Sequence, residues 1–150
     1  MIKVLRTNSK NKDFVALVSQ LDALLVEFDG REHDFYDQFN KIDKIEHVVV
    51  AYFDEVPVAC GSIKKYDKET MEVKRMFTRD EYRGRGIASV ILADLEQWTK
   101  ELGYSKCILE TGKRLAEAMQ LYQKSGYKQI PNYGQYVNME NSVCFEKRLD

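Results

Sequence analysis

At 150 residues, 44% apolar and 31% charged, the chain is long enough to bury a core as one domain, residues 1–150, without disulfides or a structural metal. Lysine and arginine number 23 against 24 acids, which leaves no basic field for nucleic acid, and no apolar run approaches the roughly 18 residues of a membrane span. MIKVLRTNSK lacks a signal peptide's apolar core, and Cys60, Cys107 and Cys144 form no C-x-x-C pair, so a cytoplasmic protein is expected, with buried free thiols, no metal, no nucleic-acid partner and no membrane contact.

Ile2 to Arg6 alternates apolar and polar residues, the pattern of a first strand. Phe14, Leu17, Val18, Leu21, Leu24 and Leu25 then recur at helical spacing up to Asp29-Gly30, a C-terminal cap signal. A short second helix is expected over Asp34 to Lys41. Ile45 to Phe53 and Val56 to Lys64 read as strands joined by a tight Asp54-Glu55 hairpin, with Pro57 near the start of its run, where a missing donor does least harm. Thr70 to Thr78, after the turn residues Tyr66-Asp67-Lys68, is the third strand of that meander. Beyond a glycine-rich segment, Ile87, Ile91, Leu95, Trp98 and Leu102 mark a helix ended by Gly103. Cys107 to Glu110 reads as a buried strand, and Leu115, Ala118, Met119 and Tyr122 as a helix closed by Ser125-Gly126. Tyr127 to Ile130 and Ser142 to Lys147 are the last strands, with Pro131 to Asn141 an ordered loop between them.

The order β-α-α-β-β-β-α-β-α-β-β predicts an α/β (α+β) fold: a mixed sheet of about seven strands flanked by about four helices. Its meander feeds a helical crossover into a parallel neighbour. Exposed edges after the last strands are compatible with a homodimer.

The strand ending at Thr78 runs through Arg83-Gly84-Arg85-Gly86 into a helix. Such a turn brings backbone N–H groups and the positive end of a helix dipole to one point. Glycines let that backbone approach a diphosphate, and Arg83 and Arg85 add charge. The run is no Walker loop, because no Gly-Lys-Ser/Thr follows, and no G-x-G-x-x-G, because Ser89 stands at the third glycine. The residues alone read either as a phosphate site or as a tight loop with solvated arginines.

The segment resembles the signature of the GNAT superfamily of N-acetyltransferases, Arg/Gln-x-x-Gly-x-Gly/Ala after the fourth strand, which Arg83, Gly86 and Ala88 meet. A second stretch, AlaMetGlnLeuTyrGlnLysSerGlyTyr, carries Tyr122 and Gly126 where the superfamily has Leu-Tyr-x-x-x-Gly-Phe/Tyr. Two departures stand out: Asp80 where a proline is common, and Leu115 where an asparagine often contacts the coenzyme. The resemblance covers nearly the whole chain and implies a GNAT fold, with a mostly antiparallel sheet, and an acetyl-CoA-dependent acyltransferase. It implies that Arg83, Gly84, Arg85, Gly86, Ile87, Ala88 and Ser89 wrap the pyrophosphate of acetyl-CoA, mainly by backbone N–H. It further implies that Met76, Phe77 and Thr78 pair their main chain with the pantetheine arm, and that Tyr122 lies beside the coenzyme.

Acyl transfer needs a neutral amine, and an alkyl amine with a pKa near ~10 is mostly protonated at neutral pH. Glu72 is the first candidate base, since relatives sometimes carry a glutamate there, and period-two alternation puts it on one face with Lys74, Met76 and Thr78. Glu110, at the end of the next strand, is the second; a solvated or Lys74-paired carboxylate is the alternative for Glu72. Tyr122 is the expected acid for the departing thiolate, against the alternative of a core aromatic. Glu27, Asp29, Arg31 and His33 fall in the region that lines the acceptor site in the superfamily, and are expected substrate contacts unless they form a solvated loop. Tyr133, Tyr136 and Asn138 are expected on the opposite wall, Arg75 or Arg114 on an acceptor carboxylate, and His47 inside its strand as a structural residue. The leading expectation is direct acetyl transfer from acetyl-CoA to a primary amine of a small molecule, through a ternary complex. A non-catalytic acyl-CoA-binding module and a protein N-terminal or lysine acetyltransferase stay open.

Overall fold

The computed structural model describes residues 1–29 and 45–149. Its strands are β1 (Ile2–Thr7), β2 (His47–Phe53), β3 (Val56–Lys65), β4 (Thr70–Thr78), β5 (Lys106–Gly112), β6 (Lys128–Ile130) and β7 (Ser142–Arg148). Its α-helices are α1 (Lys12–Asp29), α2 (Ile87–Glu101) and α3 (Ala116–Lys124). One sheet takes all seven strands in the order β1-β2-β3-β4-β5-β7-β6. Every neighbouring pair is antiparallel except β4 and β5, which α2 connects as a crossover. The helix expected over 34–41 and the Gly30 cap lie outside the described residues, so three α-helices stand among the described residues instead of about four. None of these helices is long and apolar enough to cross a membrane.

Alternation along β2 explains how both faces are covered, since Val48 and Val50 point one way and Val49 and Ala51 the other. On the first face Phe14, Leu17 and Val18 of α1 pack against Val48, Val50 and Cys60. On the second, Ile87, Ile91, Leu92 and Leu95 of α2 and Tyr122 of α3 pack with Val49, Ile63, Val73, Leu109 and Phe145. His47 meets the ring of Trp98 edge-on at 4.8 Å, a packing role. The β2–β3 hairpin turns on Asp54 and Glu55, both at positive φ (48° and 74°), the two-residue geometry whose twist matches its flanking strands.

Strand β4 is not regular. Lys74 pairs with Ser62 and Phe77 with Cys60, so three steps along β4 oppose two along β3. The extra residue is a β-bulge at Arg75, whose φ is 60°. Before it, Met71 and Val73 face α2 while Glu72 and Lys74 face α1; after it, Met76 joins the α2 side and Phe77 the α1 side. Thr78 pairs with Ala59, also on the α2 side. The expectation that Glu72, Lys74, Met76 and Thr78 share one face is therefore corrected, because period-two alternation holds only up to the bulge.

The bulge takes two carbonyls out of the ladder, and both find donors. The Ser62 hydroxyl donates to the Lys74 carbonyl at 2.7 Å, and the Cys60 thiol to the Arg75 carbonyl at 3.4 Å. Burial pushes the Cys60 thiol up to about 12, which keeps it a donor. Gly61 stands opposite the extra residue, and a Cβ there would overlap the Met76 sulfur and lie 2.9 Å from Ile91 Cγ2. Gly61→Val is expected to destabilise the fold by about 1–3 kcal/mol through overpacking, read as a lower urea midpoint at constant slope. An unchanged midpoint would contradict the packing of Met76 and Ile91 over this glycine.

Candidate active site

Strands β4 and β5 pair only at Thr70–Lys106, Met71–Cys107 and Glu72–Ile108. Strand β4 continues to Thr78 and β5 to Gly112, each held on its far side by β3 or β7, so beyond Glu72 the two strands part. A cleft of about 130 Å³ fills the gap. Leu21 and Leu25 of α1 line it from one face of the sheet, and Ala118 and Tyr122 of α3 from the other, so the cleft opens through the sheet.

On the α1 face, the Tyr133 hydroxyl donates to Glu72 Oε2 at 2.6 Å, and the Lys74 amine lies 4.0 Å from Oε1. Glu110 pairs in register with Cys144, which packs with Tyr136. Burial first, then the charges of Glu110 and Glu72, hold the Tyr136 phenol above its usual range. Burial and then Glu72 do the same to Tyr133. Burial pushes Lys74 down against the opposing pull of Glu72 and Glu110. Alternation placed Lys74 on the face of Glu72, and the structure puts both in the cleft. On the α3 side, Tyr122 is buried against Tyr127, ring centroids 5.9 Å apart, with its phenol raised by burial and then by Glu110. A phenol so held keeps its proton at neutral pH and can donate it.

Arg75, on the bulge, has a side chain only 1% exposed. Its Nη2 donates to Asp22 of α1, while Nε and Nη1 are buried without an acceptor among the described residues. A buried donor left unsatisfied costs about 1–3 kcal/mol, and the bond to Asp22 answers only part of this guanidinium.

After β4 the chain makes a 3-10 turn at Asp80–Tyr82 and enters α2 through Gly84 and Gly86, at φ 77° and 78°. These left-handed conformations are the reason for glycine at both positions, since a Cβ at either would meet nothing within 4 Å. Gly86 caps α2 without a side-chain bond, and the ladder starts with Val90 N–H on the Gly86 carbonyl at 3.2 Å. The N–H groups of Ile87, Ala88 and Ser89 precede that ladder, as a diphosphate site requires. Arg83 is partly committed within the chain: Nε donates to the Thr78 carbonyl at 3.2 Å, and Nη1 lies 3.2 Å from Asp80 and 3.7 Å from Glu117. Arg85 lies over the Tyr82 ring at 5.2 Å.

Residues 16–127 match the family model described as the acetyltransferase (GNAT) family. The chain belongs to the GNAT acetyltransferase family. It is 29% identical over 151 residues to the IAA acetyltransferase of Azospirillum brasilense, covering 99% of this chain and 98% of that protein. It is also 29% identical over 92 residues to the N-acetyltransferase YsnE of Bacillus subtilis, a match spanning 60% of this chain and 61% of the relative. A Klebsiella pneumoniae protein described as an acyl-CoA N-acyltransferase shares the fold at TM-score 0.84 and 22% identity, over 100% of this chain and 99% of that one. A GNAT acetyltransferase from Elizabethkingia anophelis, solved with acetyl-CoA bound, shares it at TM-score 0.72 and 18% identity, over 99% and 98% of the two chains. Membership puts the chain in the class of acetyl-CoA-dependent N-acetyltransferases.

Of the residues singled out in this GNAT chain, Glu72, Arg75, Met76, Glu110, Arg114, Tyr122 and Tyr136 all line the one cleft. Phe77 packs toward α1 instead. Tyr133 reaches the site through its bond to Glu72, whereas Asn138 is exposed on the loop and lines a separate surface hollow. Glu27 is exposed on α1 and does not line the cleft; the i, i+4 pair Leu21 and Leu25 takes that wall, and two residues further on the helix has turned away. Asp29 is the last residue of α1, while Arg31 and His33 lie outside the described residues.

Tyr122, Tyr133 and Tyr136 hold protons in the fold that an unfolded chain releases near pH ~10. Above that pH the native state binds more protons, so stability falls as pH rises from about 10. The expected titration of tyrosinate absorbance shows these phenols released only with cooperative unfolding. Reversible release of all nine tyrosines near pH ~10 with circular dichroism intact would overturn their placement.

Proposed function

We propose that this GNAT-family chain transfers acetyl directly from acetyl-CoA to a primary amine of a small molecule, in a ternary complex, with the 150 residues acting as one acetyltransferase domain. One observation carries the reading: the β4–β5 cleft opens to both faces of the sheet, with a proton-retaining phenol on one side and two carboxylates on the other. The N–H groups of the Gly84–Ser89 turn hold the pyrophosphate. The main-chain edge of β4 at Met76–Thr78, beyond its pairing with β5, takes the pantetheine arm, while the Met76 side chain stays over Gly61.

Glu72 or Glu110 takes a proton from the acceptor's ammonium group. The amine nitrogen then bonds to the acetyl carbon, the carbon–sulfur bond breaks, Tyr122 passes its proton to the departing sulfur, and the second proton lost by the nitrogen restores the Tyr122 phenol, which leaves the amide, free CoA and one proton on the glutamate. Two features favour a small acceptor over a peptide: the cleft volume of about 130 Å³, and the Tyr133–Glu72 bond that ties the 131–141 loop beside it. The buried free cysteines suit a reducing, cytoplasmic setting.

Titration calorimetry at neutral pH is expected to show acetyl-CoA binding, and Gly86→Trp to abolish it with circular dichroism unchanged. Normal affinity in that variant would refute the placement of the pyrophosphate. Tyr122→Phe is expected to lower kcat by about 10–100-fold with coenzyme affinity retained. If turnover is unchanged when chemistry limits the rate, Tyr122 is not the acid.

A further inference from the structure

The cleft carries more positive than negative side chains: Lys74, Arg75, Lys113 and Arg114 against Glu72 and Glu110. A purely cationic amine would meet that excess unfavourably. We infer, resting on the transferase reading above, that the acceptor is a primary amine that also carries a carboxylate, and that Arg75 receives the carboxylate.

Arg75 is the observation that goes furthest. Its guanidinium is buried on a residue held at φ 60°, a conformation disfavoured for an arginine and retained where the surroundings over-determine it. Two of its nitrogens have no acceptor among the described residues. The third is bonded to Asp22, so a carboxylate on this guanidinium is already realised in the structure, offered from a half-exposed position on α1. Leu21 and Leu25, one residue before and three after Asp22, line the cleft beside Arg75 and lower the local dielectric, which strengthens a charge-assisted bond to a guest.

The amine end has its own partners. Glu72 stands three residues before Arg75 on the same strand, and Glu110 across the gap, so an ammonium group and a carboxylate on one small molecule find opposite charges along one wall. An amine without an anion leaves Nε and Nη1 of Arg75 unsatisfied, and a lysine inside a peptide brings no carboxylate of its own. The arrangement selects an amino-carboxylate.

Calorimetry tests this without turnover, with and without saturating CoA. The probes are the standard L-amino acids, β-alanine, γ-aminobutyrate and 5-aminopentanoate, each against its carboxamide. At least one carboxylate is expected to bind about 10-fold or more tightly than its amide, and Arg75→Gln to erase that difference. Asp22→Asn removes the competing charge but leaves an amide oxygen that can still accept from Arg75 Nη2, and, with circular dichroism unchanged, is expected to tighten the carboxylate by about 3–10-fold while leaving the amide unchanged. The inference is overturned if no pair shows the preference, if the preference survives Arg75→Gln, or if Asp22→Asn leaves carboxylate affinity unchanged; this last arm decides even if the arginine variant does not fold. Failure of CoA to bind sinks the transferase reading, whereas CoA binding with no carboxylate preference sinks only the role of Arg75.

Discussion

One extra residue in β4 sets the geometry on which the site depends. With Arg75 inserted, β4 cannot keep both its register with β3 and its pairing with β5. The register with β3 resumes beyond the bulge, where Cys60 faces Phe77 and Ala59 faces Thr78, while pairing with β5 ends at Glu72. A bulge bends its strand and increases the local twist, and here that bend coincides with the opening of the gap in an otherwise continuous seven-stranded sheet. The stabilising contacts are specific: Ser62 and Cys60 satisfy the freed carbonyls, and Gly61 leaves room for Met76.

A gap that passes through a sheet has a chemical consequence. Side chains from opposite faces, normally separated by the full thickness of the backbone, reach the same space. Tyr122 belongs to the core beneath α2 and α3, whereas Glu72, Lys74 and Tyr136 belong to the α1 side, yet all line one cleft. An acid can thus face a leaving group from one side while carboxylates face an amine from the other.

The charges in that space are kept by compensation. Glu72 takes a bond from Tyr133 and lies near Lys74, and burial depresses Lys74 while both glutamates pull the other way. Arg75 is the exception, with Asp22 answering only one of its nitrogens. Buried cations seldom persist with free donors, and a site that binds an anion is where such an imbalance is useful. The glycine turn works on a different principle, since its donors are exposed main-chain groups that need no side-chain pairing, only the left-handed backbone of Gly84 and Gly86.

The sequence alone determined the order of the described elements, the crossover between parallel neighbours and the glycine turn, because each is written in local patterns: apolar period, cap residues, and glycines where φ is positive. It also singled out Glu72, Glu110 and Tyr122, which the fold does bring to one cleft. What it misjudged lies past Lys74, where alternation predicted that Met76 and Thr78 share the face of Glu72, and at Glu27, which sits off the helix stripe that lines the cleft. Only the tertiary structure decided those facings and the half-answered charge of Arg75. The reason is physical: a bulge is a mismatch in count between two strands, and an ion pair such as Arg75 and Asp22 joins residues 53 positions apart, so neither leaves a trace in the period of one segment.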